Sequence, residues 1–382
     1  MQKIKVMTVF GTRPEAIKMA PLVLELQKEE KVESIVCLTA QHREMLDQVM
    51  DIFEIKADYD LDIMEKSQTL CKITTKALNG LDEVLTTAKP DIVLVHGDTS
   101  TTFVGSLAAF YHQIPVGHVE AGLRTYDKHS PFPEEINRCL TGTIADLHFA
   151  PTKNNANNLI KEQKAGDIYI TGNTVIDALS VTVKDGYKFR ESSLNDIDFS
   201  KKVILVTAHR RENYGKPLEN IMTAIADLAK EFTDEIEIVY PVHLSPVIRE
   251  ASQKYMGGIA NVHLINPITV DDMHNLMSKS YMIMTDSGGI QEEAPSLGKP
   301  VLCLRTETER PEAVDAGTVK IAGVEHDTIY NMARELVTDK TAYDKMAHAH
   351  NPYGDGLASR RIVEAILHHF DKENARPQDF KA

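Results

Sequence analysis

The chain has 382 residues, 42% of them hydrophobic and 26% charged, which are ordinary values for a soluble globular protein of two domains. Its formal net charge is -14 and it has no basic run, which excludes broad electrostatic attraction to nucleic acid or to an anionic membrane. An anionic ligand therefore needs a locally built site. Without a signal-like or membrane-length apolar segment or a CxxC pair, we expect a cytoplasmic protein with reduced cysteines.

Apolar segments of strand length alternate with helical patterns along the chain. The first half has predicted strands at 4–10, 34–40, 91–97, 114–120 and 146–151, with helical periodicity at 68–88 and 99–112. The second half has predicted strands at 202–209, 235–243, 261–266, 281–287 and 299–305. Strands this apolar, alternating with helices, predict parallel sheets that are covered on both faces. These strands are too many for a single open sheet, so we expect two sheets.

The polar stretch near 171–201 marks the expected division between these sheets. We expect an α/β fold of two Rossmann-like, doubly wound domains that face each other across a cleft. The N-terminal domain is predicted to span 1–172 and the C-terminal domain 173–355. An amphipathic helix at 356–372 follows a Gly-rich turn and is expected to pack back on the first domain.

Ligands of open parallel sheets bind outside the carboxyl ends of the strands. The first strand runs into FGTRPEAIKMAP, which places Arg13 and Lys18 in the first turns of a helix that Pro14 starts. Two cations at a positive helix end favour a multiply charged anion such as a pyrophosphate. The alternative is a pair of solvated charges with Glu15 as partner. Pro21 is expected to kink or restart this helix.

The segment TDSGGIQEEAP follows another apolar strand. Its Ser287, Gly288 and Gly289 let the backbone approach a ligand at a helix start, which is typical of a phosphate cradle. Glu292 and Glu293 lie one turn further, where a carboxylate can accept hydrogen bonds from ribose. The alternative is a tight turn with acids that complement the helix dipole. The chain has no GxGxxG and no Walker motif.

Two carboxylates stand at strand ends of the first half. Asp98, in HGDTSTT, is a candidate acid or base, and no His/Asp cluster around it completes a metal site. Glu120, in HVEAGLRT, follows an apolar strand, where partial burial predicts a raised pKa suited to proton transfer. An ion pair between Glu120 and Arg124 is the alternative.

Two further motifs carry charge. In SPFPEEINR, Pro133 starts a helix, and an i,i+4 pair between Glu134 and Arg138 accounts for the motif structurally. In AHRREN, three potential cations stand at one strand end, and two more follow other strands in the second half. These cations are His209, Arg210, Arg211, His243 and Arg310. Such a concentration in an acidic chain indicates an anion site.

In order from about residue 3 to 370, the chain resembles the non-hydrolysing UDP-N-acetylglucosamine 2-epimerases. The motifs that carry this resemblance are FGTRPEAIKMAP, HGDT, HVEAGLRT, PEEINR, TAHRREN, TDSGGIQEEAPSLGKPV, ERPEA and NPYGDG. It implies the GT-B architecture, a homodimer, and reversible interconversion of UDP-GlcNAc and UDP-ManNAc without metal or other cofactor. It also implies elimination of UDP to 2-acetamidoglucal with re-addition, and a supply of ManNAc units for cell-surface polysaccharide.

The resemblance also implies roles for individual residues. Asp98, Glu120 and Glu134 form the acid/base set, and Arg138 orients it. The residues implied to bind UDP or the sugar–phosphate are Arg13, Lys18, His209, Met273, Ser287, Gly288, Gly289, Glu293 and Arg310, with His209 counted in the catalytic set.

Some relatives bind a second, activating UDP-GlcNAc. The matching positions are Gln41, Glu44, Ser67, Gln68, Glu134, Arg211 and His243. Glu44 and Ser67 stand where bacterial relatives can carry Gln and Arg, so this second site is expected to hold phosphate more weakly.

Three other functions fit parts of the pattern. A GT-B glycosyltransferase shares the fold and a UDP-sugar substrate, a hydrolysing epimerase releases free ManNAc, and a catalytically silent sensor only binds the nucleotide sugar. The joint presence of the acid/base carboxylates and Arg138 favours the non-hydrolysing epimerase over all three.

Overall fold

The computed structural model describes residues 3–40, 43–65 and 68–382. The chain divides into a first unit, Met1–Val181 with Tyr353–Ala382, and a second unit, Thr182–Pro352. Each unit has one parallel sheet with alternating helices, so the predicted fold class of two Rossmann-like, doubly wound units is confirmed.

The boundaries between the units differ from the predicted 172/173 and 355/356. Contacts within the first unit explain the difference: Asn173 donates its N–H to the Tyr353 carbonyl at 2.7 Å. The Asp177 carboxylate accepts from the backbone N–H groups of Ala358 and Ser359 at 3.2 and 2.7 Å. These bonds tie residues 173–181 to the returning C-terminal segment, so both belong to the first unit.

The first unit contains a seven-stranded sheet in the order β3-β2-β1-β4-β5-β6-β7, with all adjacent pairs parallel. Its strands are β1 Ile4–Phe10, β2 Val32–Leu38, β3 Tyr59–Asp60, β4 Ile92–His96, β5 Val116–Val119, β6 Leu147–Ala150 and β7 Asp167–Ile170. The inner strands are buried along almost their whole length, as expected for a parallel sheet that is covered on both faces.

The helices that begin in the first unit cover this sheet. They are α1 Arg13–Lys28, α2 Arg43–Ile52, α3 Leu70–Ala88, α4 Ser100–Tyr111, α5 Glu134–Ile144, α6 Lys153–Lys161 and α7 Thr174–Thr182, and α15 Ala358–Phe370 joins them from the C-terminal segment. Helix α1 continues through Pro21, so the predicted restart does not occur. Helix α15 packs against α1.

The second unit contains a six-stranded parallel sheet in the order β10-β9-β8-β11-β12-β13. Its strands are β8 Lys202–Thr207, β9 Ile236–Pro241, β10 Val262–Ile265, β11 Met282–Thr285, β12 Val301–Cys303 and β13 Val319–Ile321. Its helices are α8 Lys216–Glu231, α9 Pro246–Met256, α10 Val270–Lys279, α11 Gly288–Ser296, α12 Pro311–Asp315, α13 His326–Thr338 and α14 Lys340–Ala347. Short 3-10 turns span Ser192–Asp196 and Arg211–Asn213.

Sequence periodicity missed three strands, β3, β7 and β13. Each lies at an edge of its sheet, and each has only two to four residues. An edge strand has one hydrogen-bonded neighbour and can be short and partly polar, so it lacks the apolar run that predicts an inner strand.

Each sheet has one point where the strand order reverses, between β1 and β4 and between β8 and β11. Loops that leave these strands at their carboxyl ends turn to opposite faces of the sheet, which opens a crevice where ligands of such folds bind. The strand ends there are Phe10 and His96 in the first unit and Thr207 and Thr285 in the second. No helix in the described part of the chain is long and apolar enough to cross a membrane.

Candidate active site

The β1–α1 loop of the first unit is held by Glu15, which is only 2% exposed. One carboxylate oxygen accepts from the N–H groups of Gly11 and Thr12 at 3.1 and 2.8 Å. The other accepts from the hydroxyls of Thr99 and Thr102 at 2.6 and 3.2 Å. Glu15 therefore joins the two loops at the first reversal point, and it is not the solvated partner that the sequence suggested.

Lys18, on the second turn of α1, makes an ion pair with Glu120. Its Nζ lies 2.5 Å from Glu120 Oε2, and Nε2 of His96 lies 2.8 Å from the same oxygen. Glu120 directly follows β5 and His96 is the last residue of β4, so three neighbouring elements meet at one carboxylate. A cation, an imidazole and a carboxylate thus form a buried group at the end of the sheet.

This environment decides the charge of Glu120. Burial by itself would raise the pKa of the carboxyl, but the Lys18 ammonium and the His96 ring together hold that pKa well below its usual value. The predicted raised pKa is therefore wrong, and Glu120 is ionised near neutral pH. The alternative pair with Arg124 is also wrong, because Arg124 donates to both carboxylate oxygens of Glu162 at 2.7 and 2.9 Å.

The backbone at Glu120 has an unusual conformation, with φ at +61°. A long side chain rarely adopts this left-handed region, and such strain tends to occur at functional positions. In this conformation Glu120 reaches both Lys18 and His96.

Asp98, two residues beyond β4, forms a second polar group. Its carboxylate accepts from Arg138, whose other guanidinium nitrogen donates to Glu135 at 3.1 Å. Asn137 also donates to the Asp98 carbonyl at 2.9 Å. Arg138 thus contacts Asp98, and the orienting role that the resemblance implies for it stays a prediction. Its acidic partner on α5 is Glu135 rather than the predicted Glu134.

Glu134 and Glu135 occupy different environments at the start of α5. Glu135 is buried and accepts from the N–H groups of Thr125 and Tyr126 at 3.0 and 2.9 Å, which makes it a structural carboxylate. Glu134 is half-buried, and its carboxylate makes no hydrogen bond or ion pair within the described residues. Glu134 therefore stays available for the acid/base role predicted for it.

A buried histidine supports the Asp98 loop. His118, inside β5, donates from Nε2 to the carbonyl oxygen of Gly97 at 2.7 Å. Burial lowers the pKa of His118 to about 3, against a smaller opposing effect of the Gly97 carbonyl, so the ring is neutral. Gly97 has φ at +68°, which glycine tolerates, and the bond fixes this turn immediately before Asp98.

At the strand-order reversal of the second unit, the β8 and β11 loops meet at Asp286, which is fully buried. One oxygen accepts from the N–H groups of His209 and Arg210, both at 2.7 Å, and from the Asn213 amide at 3.3 Å. Nδ1 of His209 lies 3.3 Å from the other oxygen. Asp286 therefore fixes the β8 loop against the β11 loop, a role that the sequence did not reveal.

His209 is not a permanent cation. Burial lowers its pKa, and the neighbouring His243 and Arg210 lower it further against the opposing effect of Asp286. The His243 ring stacks on His209 with centroids 5.4 Å apart. Of the three potential cations predicted at this strand end, His209 is therefore mainly neutral near pH 7, and the guanidinium groups of Arg210 and Arg211 remain charged.

Helix α11 begins at Gly288 directly after Ser287. A methyl group placed on Gly288 would lie 3.8 Å from a guanidinium nitrogen of Arg310 and 4.0 Å from one of Arg210. The free backbone N–H groups of a helix start and two guanidinium groups thus surround the same small space. Arg310 is itself anchored by Glu292, which is buried, so the suggested ribose role of Glu292 is not supported.

Glu293 lies one residue further along α11. Its Oε2 is 3.5 Å from Nε2 of buried His274, whose Nδ1 is 2.7 Å from the hydroxyl of Thr182. Glu293 therefore remains the candidate for ribose, supported by His274. Met273 precedes His274 on α10 and is half-buried.

The positions matched to a second nucleotide-sugar site are only partly described. Gln41 and Ser67 lie outside the described residues, and the Glu44 side chain is not described. Gln68 donates to the Ile63 carbonyl at 2.5 Å, Arg211 is exposed in a 3-10 turn, and His243 stacks on His209. Activation by a second substrate molecule stays a prediction.

Two Rossmann-like units with polar residues at both strand-order reversals define a GT-B-like α/β enzyme. The model of the family described as UDP-N-acetylglucosamine 2-epimerase matches residues 24–367. The chain belongs to this family and is an enzyme of the isomerase class.

Full-length relatives and solved structures agree with this assignment. The chain is 61% identical to UDP-N-acetylglucosamine 2-epimerase of Bacillus subtilis, over 100% of the chain and 99% of the relative. A crystal structure of the putative enzyme from Listeria monocytogenes is 52% identical, with a TM-score of 0.94 and 100% of both chains covered. The enzyme of Neisseria meningitidis, bound to UDP-GlcNAc, is 55% identical with a TM-score of 0.86, covering 95% of this chain and 100% of that one.

Proposed function

We propose that the protein interconverts UDP-GlcNAc and UDP-ManNAc by eliminating UDP to 2-acetamidoglucal and adding it back, and that the ManNAc product serves cell-surface polysaccharide. The observation that carries this proposal is the ionised, buried Glu120, held by Lys18 and His96 at the carboxyl end of the sheet. The UDP-GlcNAc bound to the Neisseria meningitidis relative supports the choice of substrate.

The C2 hydrogen of the sugar is not adjacent to a carbonyl, so direct removal of that proton is slow. Elimination avoids this difficulty: the C2–H electron pair becomes the C1=C2 double bond while the C1–O electrons leave with UDP. A carboxylate takes the proton. In the return step a proton is delivered to the opposite face of C2, and a UDP oxygen bonds to C1 again. No oxidant, reductant or metal is needed for this balance.

The first unit contributes the groups for proton transfer. Epimerisation requires proton exchange at both faces of C2, and Asp98, Glu120 and Glu134 are the available carboxylates. An ionised Glu120 can accept a proton in one direction and donate it in the other, because the reverse reaction follows the same path. Arg138 holds Asp98 in one orientation.

The second unit contributes the groups for the leaving diphosphate. The start of α11 offers backbone N–H donors and a positive dipole end, and Arg310 and Arg210 approach it. Charge that develops on the departing UDP is stabilised by such preorganised donors. His209, fixed by Asp286, can take up a proton when the phosphates arrive, because a nearby anion raises the pKa of an imidazole.

The reaction itself is tested by incubating the protein with UDP-GlcNAc in D2O and following the sugar by proton NMR. We expect UDP-ManNAc to appear and deuterium to replace hydrogen at C2 in both sugars. A glycosyltransferase or a silent binding protein leaves the C2 proton in place, and a hydrolysing enzyme accumulates free ManNAc and UDP. Retention of the C2 proton through many turnover times would contradict the proposal.

Gly288→Ala tests the phosphate site without disturbing the fold. The added methyl group meets nothing closer than 3.8 Å, and alanine is favoured over glycine in a helix by about 0.5–1 kcal/mol, so the Tm is expected to be unchanged or slightly raised. The methyl group nevertheless occupies the space proposed for a phosphate oxygen. We expect the Kd for UDP, measured by calorimetry, to rise by about 10-fold or more.

Gly142→Ala is the matched control, since Gly142 lies in α5 and its nearest neighbour would be 3.5 Å from the new methyl group. It is expected to leave UDP affinity unchanged. Equal UDP affinity in Gly288→Ala and the unaltered protein would place the phosphates elsewhere.

A further inference from the structure

The two oxygens of Glu120 have different surroundings. Both close contacts of the carboxylate are to Oε2, with Lys18 Nζ at 2.5 Å and His96 Nε2 at 2.8 Å. Within the described residues, no hydrogen bond or ion pair reaches Oε1. Because 8% of Glu120 stays accessible and Oε1 is not a buried unpaired atom, this oxygen is the one that faces the open side of the group.

His96 is well placed to hold the carboxylate. It is 4% exposed and ends β4, and it pairs in register with Val119, the residue before Glu120. Its carbonyl accepts from the Thr102 hydroxyl at 2.5 Å, which fixes the backbone at this point. The imidazole therefore approaches Glu120 from the neighbouring strand, on a backbone that the sheet fixes.

The contact between His96 and Glu120 is short but not an aligned hydrogen bond, since His96 Nε2 has no partner of good geometry. It restrains the position of Oε2 through the close approach of a polar ring. Lys18, from α1, holds the same oxygen from another element. The terminal torsion of a glutamate is otherwise broad, so two contacts from different elements are what select one orientation.

We propose that His96 is a positioning residue: with Lys18 it fixes Oε2 of Glu120, so that Oε1 is the oxygen that exchanges protons with C2 of the sugar. This inference rests on the proposed epimerase function. The proton passes between C2 and Oε1, while Oε2 keeps its contacts with Lys18 and His96 throughout. His96 itself does not contact the reacting carbon.

The proposal is tested with two substitutions of different chemistry. His96→Gln keeps a polar amide that can approach Oε2 closely, and His96→Leu is similar in size but has no polar atom. A misplacement of about 1 Å in a reacting group can cost on the order of 10²-fold in rate, so we expect kcat to fall about 10²-fold in His96→Leu. In His96→Gln we expect partial rescue, with kcat about 10-fold below that of the unaltered protein.

Three further readouts separate positioning from general damage. KM for UDP-GlcNAc and Kd for UDP are expected to change less than about twofold, because His96 is not a binding group. The rate of C2 deuterium exchange in D2O is expected to fall in parallel with kcat. His148→Gln is the control: His148 is buried like His96, and its Nε2 contacts the Ala165 carbonyl at 2.8 Å, away from the proposed acid/base carboxylates.

The outcomes discriminate clearly. A ranking of His96→Leu below His96→Gln below His148→Gln in kcat, at similar KM, supports the positioning role. Equal kcat for His96→Leu and His148→Gln overturns it, and so do equal losses in His96→Leu and His96→Gln. If the unaltered protein itself shows no C2 exchange, the proposed function fails. If it exchanges normally and His96→Leu does too, only the role of His96 fails.

Discussion

Glu120→Gln is expected to lower kcat by about 10³-fold while leaving the Kd for UDP nearly unchanged. The substitution keeps the size of the side chain but removes the carboxylate that exchanges a proton with C2, and general acid–base groups contribute about 10²–10⁴-fold. The phosphate-binding residues of the second unit are untouched. The measurement is the rate of C2 deuterium incorporation and of UDP-ManNAc formation by proton NMR, with UDP binding followed by calorimetry.

Glu162→Gln is the control for this experiment, because it also removes the charge of a glutamate that pairs with a cation, Arg124, outside the proposed site. It is expected to retain C2 exchange within about twofold. Exchange in Glu120→Gln at the rate of the unaltered protein would remove Glu120 from the reaction.

The effect of Glu120→Gln on the melting temperature is expected to depend on pH. The pKa of Glu120 is lower in the folded protein than its usual value of 4.5, so the folded state binds the proton less readily than the unfolded state. The resulting stabilisation is complete above pH about 4.5 and is lost as the pH falls through the folded pKa. We therefore expect Glu120→Gln to lower Tm most at neutral pH and progressively less in acid.

The sequence predicted the inner architecture well because buried parallel strands are apolar runs. The nine inner strands, the apolar edge strand β10 and the alternation with helices followed from this property, whereas the edge strands β3, β7 and β13 did not, since they lack such a run. The rule that ligands bind at the carboxyl ends of strands then predicted four candidate site residues: Asp98, Glu120, His209 and Ser287.

The ion-pair partners of the site residues were harder to predict than the positions of these residues in the fold. Local spacing suggested pairs of Glu120 with Arg124 and of Glu134 with Arg138. In the structure Lys18 reaches Glu120 across 102 residues, and Arg138 reaches Asp98 across 40. The pKa of Glu120 was predicted in the wrong direction for the same reason, because burial was visible in the sequence while the two groups opposing it were not.

The residues that the sequence missed are buried polar groups within recognised motifs. His96 and Asp286 stand beside Asp98 and Ser287, and their importance appears only once their burial and contacts are known. A buried carboxylate or imidazole is costly unless it is paired, which is why such residues in these loops organise the backbone around the site. Their positions at strand ends were the available signal.

Asp286→Asn is expected to produce the largest loss of stability among these variants, about 3 kcal/mol. Asp286 is fully buried and accepts from the N–H groups of His209 and Arg210 and from Asn213. Hydrogen bonds to a charged group contribute about 1.5–3 kcal/mol each, and an asparagine amide turns an N–H donor towards other donors. For a unit of this size the expected fall in Tm is about 6–12 °C.

A loss of UDP binding is expected to accompany the loss of stability, because the backbone N–H groups of His209 and Arg210 both donate to this carboxylate. Amide hydrogen exchange at residues 208–213 should accelerate, and UDP affinity should fall about 10-fold or more. Asp227→Asn is the control in the same unit: Asp227 is exposed and pairs with Lys230 and His326, so its removal is expected to cost less than about 1 kcal/mol. If Asp286→Asn behaves like Asp227→Asn in both Tm and exchange, then the β8 loop is fixed by contacts other than this buried carboxylate.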